Sequence, residues 1–166
     1  MRQNDPVRPE AESRAYLVIS SPIGPIGIES ADDAITQIVF RAKGESRNLS
    51  RGDIAHEAHR QLDEYFGGRR TTFELPLAPR GTAFQQDVWS ALRRIPYGDT
   101  VSYAELAKTI GRPAAVRAVG AANGQNPIPI VIPCHRVIGT DGKLVGFGGG
   151  LDAKRYLLGL ERGSLF

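Results

Sequence analysis

Residues 126–139 read NPIPIVIPCHRVIG, and this stretch limits the fold more than any other. Its run of Ile and Val is too apolar to leave in water, while Pro127, Pro129 and Pro133 remove backbone donors that the interior of a sheet would need. The stretch must therefore be buried as irregular or weakly paired chain. It ends in Cys134, the one cysteine of the 166 residues. A single thiol excludes an intramolecular disulfide and a cysteine-rich zinc site, so the fold has to stand on a packed core.

The rest of the chain can supply that core. It is 41% hydrophobic and 23% charged, too apolar for a disordered polyelectrolyte. No apolar run reaches the roughly 18–20 residues that cross a bilayer. The opening MRQNDPVRPEAESR carries three Arg and three acids, unlike a secretory signal. A cytoplasmic protein without membrane contact is expected. Residues 1–80 hold 11 Lys+Arg and 12 Asp+Glu (net −1), and residues 81–166 hold 10 and 6 (net +4). The basic excess lies in the half where a polyanion would bind.

Residues 1–14 read as a flexible tail. Tyr16–Ile19, Ile26–Ile28 and Ile35–Phe40 are β-type runs separated by SPIGP and SADD turns. Ile54, Ala58, Leu62, Tyr65 and Phe66 recur at helical spacing until Gly67-Gly68, and Phe73–Leu77 is a further strand candidate. PLAPRG then marks the hinge to a second lobe. There Thr82 caps a helix with Phe84, Val88, Ala91, Leu92 and Ile95 on one face, ended by Pro96. Ser102-Tyr103-Ala104-Glu105 spells a capping box, and Pro113 opens the next helix, Ala-rich with Arg117 as its one long side chain. Two short helices around a Gly turn make a helix-turn-helix pattern. That second helix either approaches DNA closely, with Arg117 probing a groove, or merely packs tightly with Arg117 in solvent.

The fold class expected is α/β in the α+β sense. A small antiparallel sheet lobe with a helix (15–78) precedes a mainly helical lobe with a helix-turn-helix (81–166).

Cys134-His135-Arg136 sets a thiol beside an imidazole and a guanidinium, surroundings that can favour the nucleophilic thiolate. On an extended segment adjacent side chains point apart, so a bridging water would have to link Cys134 to His135. A structural Cys beside a surface His is the plainer alternative. The glycine-rich GKLVGFGGG (142–150) lacks the dinucleotide pattern and suits either a mobile loop or a wall that lets a flat ligand approach backbone N–H groups. Asp152 is positioned to cap a last helix through Tyr156, Leu157 and Leu160. Near its end Glu161 either orients a histidine or is simply solvated.

NPIPIVIPCHRVIG, with Asn126 eight residues before Cys134, resembles the signature of the O6-alkylguanine-DNA alkyltransferases. The resemblance runs from RGTAFQQDVW through VSYAELA, AVRAVGAANGQNP and GFGGG to LLGLE, and includes SPIGP in the first half. It implies direct-reversal repair: irreversible, stoichiometric transfer of an alkyl group from O6-alkylguanine in double-stranded DNA to Cys134 after base flipping. His135 would act as general base through a water, oriented by Glu161 in triad fashion. Asn126 would brace the turn before the active-site segment. Tyr103 would crowd the 3′ phosphate and donate a proton to guanine N3, and Arg117 would fill the gap left by the flipped base. Ala115 and Gly120, on the small-residue helix, would lie against DNA. The carbonyls of Cys134 and Val137 would accept from the guanine amino group, and the Gly148 N–H would bind O6.

The resemblance also implies no cofactor and, since the cysteines of zinc-bearing relatives are missing, no metal. A monomer is expected, with cooperation between copies on DNA left open. Other readings are a non-catalytic alkyltransferase-like lesion binder, a helix-turn-helix regulator with Cys134 as a core thiol, and a cysteine hydrolase. The last suffers from the adjacency of Cys134 and His135, with no separate base to serve the thiol.

Overall fold

The computed structural model describes residues 14–164. Its first lobe is a three-stranded antiparallel meander, β1 (Ala15–Ile19), β2 (Ile26–Ala31) and β3 (Ala34–Phe40), in that spatial order. Asp32 and Asp33 both adopt positive φ (50° and 59°), the conformation of a two-residue turn whose twist matches that of the flanking strands. Alternation buries Ile26 and Ile28 of β2, and a register shift between Glu29 and Ser30, which leaves Thr36 out of the pairing, lets Ile35 and Ile38 of β3 both join that face, against helix α1 (Ile54–Phe66). The α1 N-cap Asp53 accepts from Ala55 N (2.9 Å) and from the Ser30 hydroxyl (2.6 Å), so one carboxylate both caps the helix and ties it to β2. The tail expected over 1–14 lies outside the described residues except for Arg14, which is held by Glu29 at 3.0 Å.

Phe73–Leu77 does not form the expected strand. Only Leu77 bridges to β3, through Ile35 N→Pro76 O and Ala78 N→Ile35 O, both 2.8 Å. Pro76 has no N–H to extend a ladder, and the side chain of buried Gln61 takes over beside it, pairing with the backbone N and O of Glu74 (2.9 and 3.1 Å).

The second lobe contains α2 (Ala83–Leu92), β4 (Val101–Ser102), α3 (Tyr103–Thr109), α4 (Val116–Gly124), a 3-10 turn (Cys134–Arg136), β5 (Val137–Ile138) and α5 (Leu151–Arg162). Thr82 and Gln85 form a reciprocal capping box on α2, which ends at Leu92, short of Pro96. Ser102 caps α3 through Glu105 N (3.0 Å). Helix α4 begins at Val116, after Pro113, and Ala115 gives it no side-chain cap. Helix α5 is entered from Gly150, without the expected cap from Asp152, which sits in its first turn.

The two lobes share one continuous core, from Ile28, Ile35 and Leu62 through Trp89 and Leu92 to Ile128 and Ile132. The proline-punctuated run lies inside it as irregular chain. Ile130, 1% exposed, turns the chain there with φ 72°, a conformation a β-branched residue rarely adopts. Among the described residues, no helix is long and apolar enough to cross a membrane.

Candidate active site

The site is assembled from the ends of short elements. Strands β4 and β5 pair in parallel, Val101 with Val137 and Ser102 with Ile138. Because Ser102 also caps α3, this two-residue ladder sets Tyr103 beside the segment that carries Cys134. Pro133 (φ −81°, ψ 65°) forms an inverse γ-turn closed by Cys134 N→Ile132 O at 2.8 Å, and the chain enters the 3-10 turn. Asn126 braces the approach: its amide donates to Ile132 O (2.7 Å) and its carbonyl accepts from Ile128 N (2.9 Å).

Cys134 is 6% exposed and lines a cavity of about 270 Å³. Asn123, Asn126, Phe147 and Gly148 line it too, and Phe40 of β3 closes it from the other lobe. Burial pushes the thiol up to about 11, against the pull of Asn126 and of the Lys154 ammonium. This corrects the expectation that Arg136 would favour thiolate: its guanidinium turns away to Glu161.

The 3-10 turn also replaces the extended geometry expected for Cys134-His135, and His135 folds inward, 0% exposed. Its Nε2 lies 2.5 Å from Glu161 Oε2. Arg136 grips the same carboxylate twice, Nε→Oε1 at 2.7 Å and Nη2→Oε2 at 3.1 Å, and donates Nη1 to Ile95 O at 2.7 Å. The Tyr65 hydroxyl donates to Oε2 (2.6 Å) and Gly98 N to Oε1 (3.3 Å). Glu161 is therefore buried and fully satisfied, where a solvated side chain was the alternative. Burial opposes its ionisation, but hydrogen bonds from His135, Arg136 and Tyr65 outweigh that and bring it down to about 2.

An ionised carboxylate only accepts, so the His135 proton is assigned to Nε2. Nδ1 is left buried without a hydrogen-bond partner among the described residues. With Arg136 already balancing Glu161, burial prevails and holds the imidazole below its ordinary basicity, neutral and able to take a proton.

Tyr103 donates to Val145 O (3.2 Å), and burial holds its hydroxyl in the protonated form. Arg117 lies exposed on α4 among exposed Ala114, Ala118 and Ala121, while Ala115 is half-buried. Gly120 faces the Tyr103 ring, with its Cβ position 3.7 Å from Cδ1. Val137 is 0% exposed and does not line the cavity; its carbonyl accepts from Lys154 Nζ at 2.7 Å. The Cys134 carbonyl accepts from Asn123 at 3.5 Å.

Lys154, Asn123 and Tyr65 were not anticipated. Lys154 is buried, bridging Val137 O and Val145 O (2.9 Å), and so ties the glycine-rich loop to β5. A signal did exist: Lys154 and Glu161 are seven residues apart on the same face of α5 as Leu157 and Leu158, charges embedded in an apolar stripe. Among the described residues, no group of three or more His, Cys, Asp or Glu could hold a metal ion.

Residues 83–163 match the family described as the 6-O-methylguanine DNA methyltransferase DNA binding domain, and residues 15–79 match its ribonuclease-like domain. A methylated-DNA–protein-cysteine methyltransferase of Methanosarcina barkeri is 50% identical over 156 residues, covering 90% of this chain and 98% of its own. The constitutive enzyme of Bacillus subtilis is 44% identical, covering 89% and 94%. An O6-methylguanine methyltransferase variant from Mycobacterium tuberculosis superimposes with a TM-score of 0.81 at 47% identity, covering 91% and 94% of the two chains. The OGT of that organism in complex with DNA gives 0.77 at 47%, covering 90% and 93%. The mixed α/β fold of this chain is the one those structures share, and the chain belongs to the 6-O-methylguanine DNA methyltransferase family.

Proposed function

We propose that this protein repairs O6-alkylguanine in double-stranded DNA by moving the alkyl group, once and irreversibly, onto the Sγ of Cys134. As a family member it is a methylated-DNA–protein-cysteine methyltransferase acting in DNA repair by alkyl transfer. The observation that carries the finer reading is the placement of a single thiol in a cavity beside a neutral imidazole anchored to a buried carboxylate.

A thiol held near 11 is almost wholly protonated at neutral pH, so it needs a base. Nδ1 of His135, buried and without a hydrogen-bond partner among the described residues, is the candidate acceptor, which a bridging water would link to the thiol, with Glu161 and Arg136 holding the ring. Sulfur attacks the alkyl carbon in line, the S–C bond forms, and the C–O6 bond breaks. The electron pair leaves on guanine, which takes a proton from Tyr103. The thioether has no leaving group that returns a thiol, so transfer ends after one event.

A base within the duplex stack cannot reach a recessed Cys134, which calls for nucleotide rotation into the cavity. Exposed Arg117, on a helix of small residues able to approach DNA closely, suits the space the base vacates. Gly148 in the cavity wall offers a backbone N–H toward O6. Cys134 O is an acceptor for the guanine amino group; Val137 O keeps a second lone pair beside its bond to Lys154 and would join it only if the entering base reaches beyond the cavity lining.

Intact mass after mixing with a duplex carrying one O6-methylguanine tests this reading. One methyl in place of one proton, on Cys134 and absent from Cys134→Ala, is expected, with uptake stopping at one equivalent. DNA binding without any change in mass would overturn it in favour of a lesion binder.

A further inference from the structure

We propose that Tyr65 of the N-terminal lobe is a positioning residue for alkyl transfer, its hydroxyl fixing the Glu161 carboxylate that anchors His135. The inference rests on the reading of His135 as the proton acceptor for Cys134.

Tyr65 lies on α1, 96 residues from Glu161 in sequence, and is 0% exposed. Its hydroxyl reaches Oε2, the oxygen that His135 Nε2 also uses, at nearly the same distance (2.6 against 2.5 Å). The ring is held from three sides, with centroids of Phe66, Phe73 and Tyr97 at 5.5, 5.4 and 6.2 Å. The hydroxyl therefore has little freedom to swing away. Burial, and then the adjoining carboxylate, keep it protonated and so always a donor.

The other polar groups facing this cluster are Arg136, whose guanidinium lies 5.8 Å from the Tyr97 ring centroid, the Tyr97 hydroxyl, and Lys154 from α5 near Cys134. All of them remain when the Tyr65 hydroxyl is removed. Oε2 would then be shared by His135 and Arg136 alone. A carboxylate with one fewer donor holds its charge less diffusely and stabilises the imidazolium more. His135 becomes more basic, and the Cys134–His135 pair takes up its inactivating proton at higher pH.

The test is the second-order rate of methyl transfer from an O6-methylguanine duplex, followed from about pH 5 to about pH 9 across the histidine range. Wild type, Tyr65→Phe and Phe66→Leu are compared, each checked for folding by its melting temperature. Phe66→Leu perturbs the same aromatic cluster without touching the hydroxyl. Tyr65→Phe is expected to move the acid midpoint upward by about half a unit to one unit, a part of the roughly one to two units that a hydrogen bond to a charged group is worth, because the lost bond acts on His135 through Glu161, while Phe66→Leu leaves it in place.

A Tyr65→Phe midpoint that coincides with wild type, whatever its plateau rate, overturns the proposal and leaves Tyr65 a packing residue. So does a downward shift. Should Tyr65→Phe fail to fold, Tyr65→Met fills similar space without the hydroxyl and carries the same expectation. A wild type that gains no methyl overturns both this inference and the reading beneath it, so the two failures are distinguishable.

Discussion

The two lobes are held together in different currencies. In the N-terminal sheet, neighbours in sequence are neighbours in space: β1 pairs with β2 and β2 with β3 through main-chain ladders. In the C-terminal lobe the decisive contacts converge on one side chain and come from far along the chain. Tyr65, Gly98, His135 and Arg136 all converge on Glu161. A ladder tolerates many side chains on its strands, whereas a buried carboxylate with five donors tolerates almost no change in any of them. The scaffold is generic and the site is specific, and each should respond to mutation accordingly.

Glu161→Gln is the most severe test of that contrast. It leaves the guanidinium of Arg136 buried without its counter-charge, which costs about 3–5 kcal/mol, and removes the anchor of His135. Chemical denaturation should show the loss, with alkyl transfer falling by at least about 100-fold, on the scale of general-base catalysis. A variant as stable as wild type would mean that the lobe is not organised around this carboxylate.

Acid offers a gentler version. The carboxyl of Glu161 falls from the ordinary 4.5 to about 2 on folding, so between those values the unfolded chain binds the proton more readily. Its contribution is complete above about pH 4.5 and disappears as pH drops toward 2, about 3 kcal/mol in all. His135, held below 6.5 in the fold, acts in the same direction from a higher pH. Unfolding free energy measured against pH should fall through this window in wild type and much less in Glu161→Gln; parallel curves would refute the assignment.

Local features should matter less. Ser102→Ala removes the α3 cap and should cost about 1 kcal/mol in a melting experiment. Because the same residue belongs to β4, a much larger loss would place the β4–β5 ladder among the main supports of the site. In the N-terminal lobe, Asp33→Gly replaces a residue at φ 59° and should be neutral or stabilising by about 0.5 kcal/mol. Destabilisation beyond about 1 kcal/mol would show that the meander is less tolerant than its ladders suggest.

The same contrast governs what could be read from the sequence. Strands β1 to β3 and helix α1 announce themselves by alternation, turn residues and a 3.6-residue repeat, all local properties. Thr82 and Ser102 are legible caps for the same reason. Strands β4 and β5, two residues each, are too short to have a period, and the Cys134–Arg136 turn follows from Pro133 and from packing. Cys134 and His135 stand out in the sequence as an adjacent thiol and imidazole, but the roles proposed for them, for Glu161 and for Asn126 come from the resemblance to a family signature. Tyr65 was assigned to the core of α1, and its ring is indeed there. Its hydroxyl matters only because a carboxylate from the other end of the chain arrives beside it, which no local pattern encodes.

Ile130 has a consequence of another kind. Its backbone asks for glycine or asparagine, since left-handed geometry burdens a β-branched residue by about 1–3 kcal/mol. Its side chain, 1% exposed in the shared core, asks for a large hydrocarbon. No amino acid meets both demands: glycine would relax the turn and leave a cavity, and asparagine would bury an amide. Evolution at position 130 is thus confined to a narrow compromise, and a saturation library selected for folding should return very few survivors there, at a residue outside the lining of the Cys134 cavity.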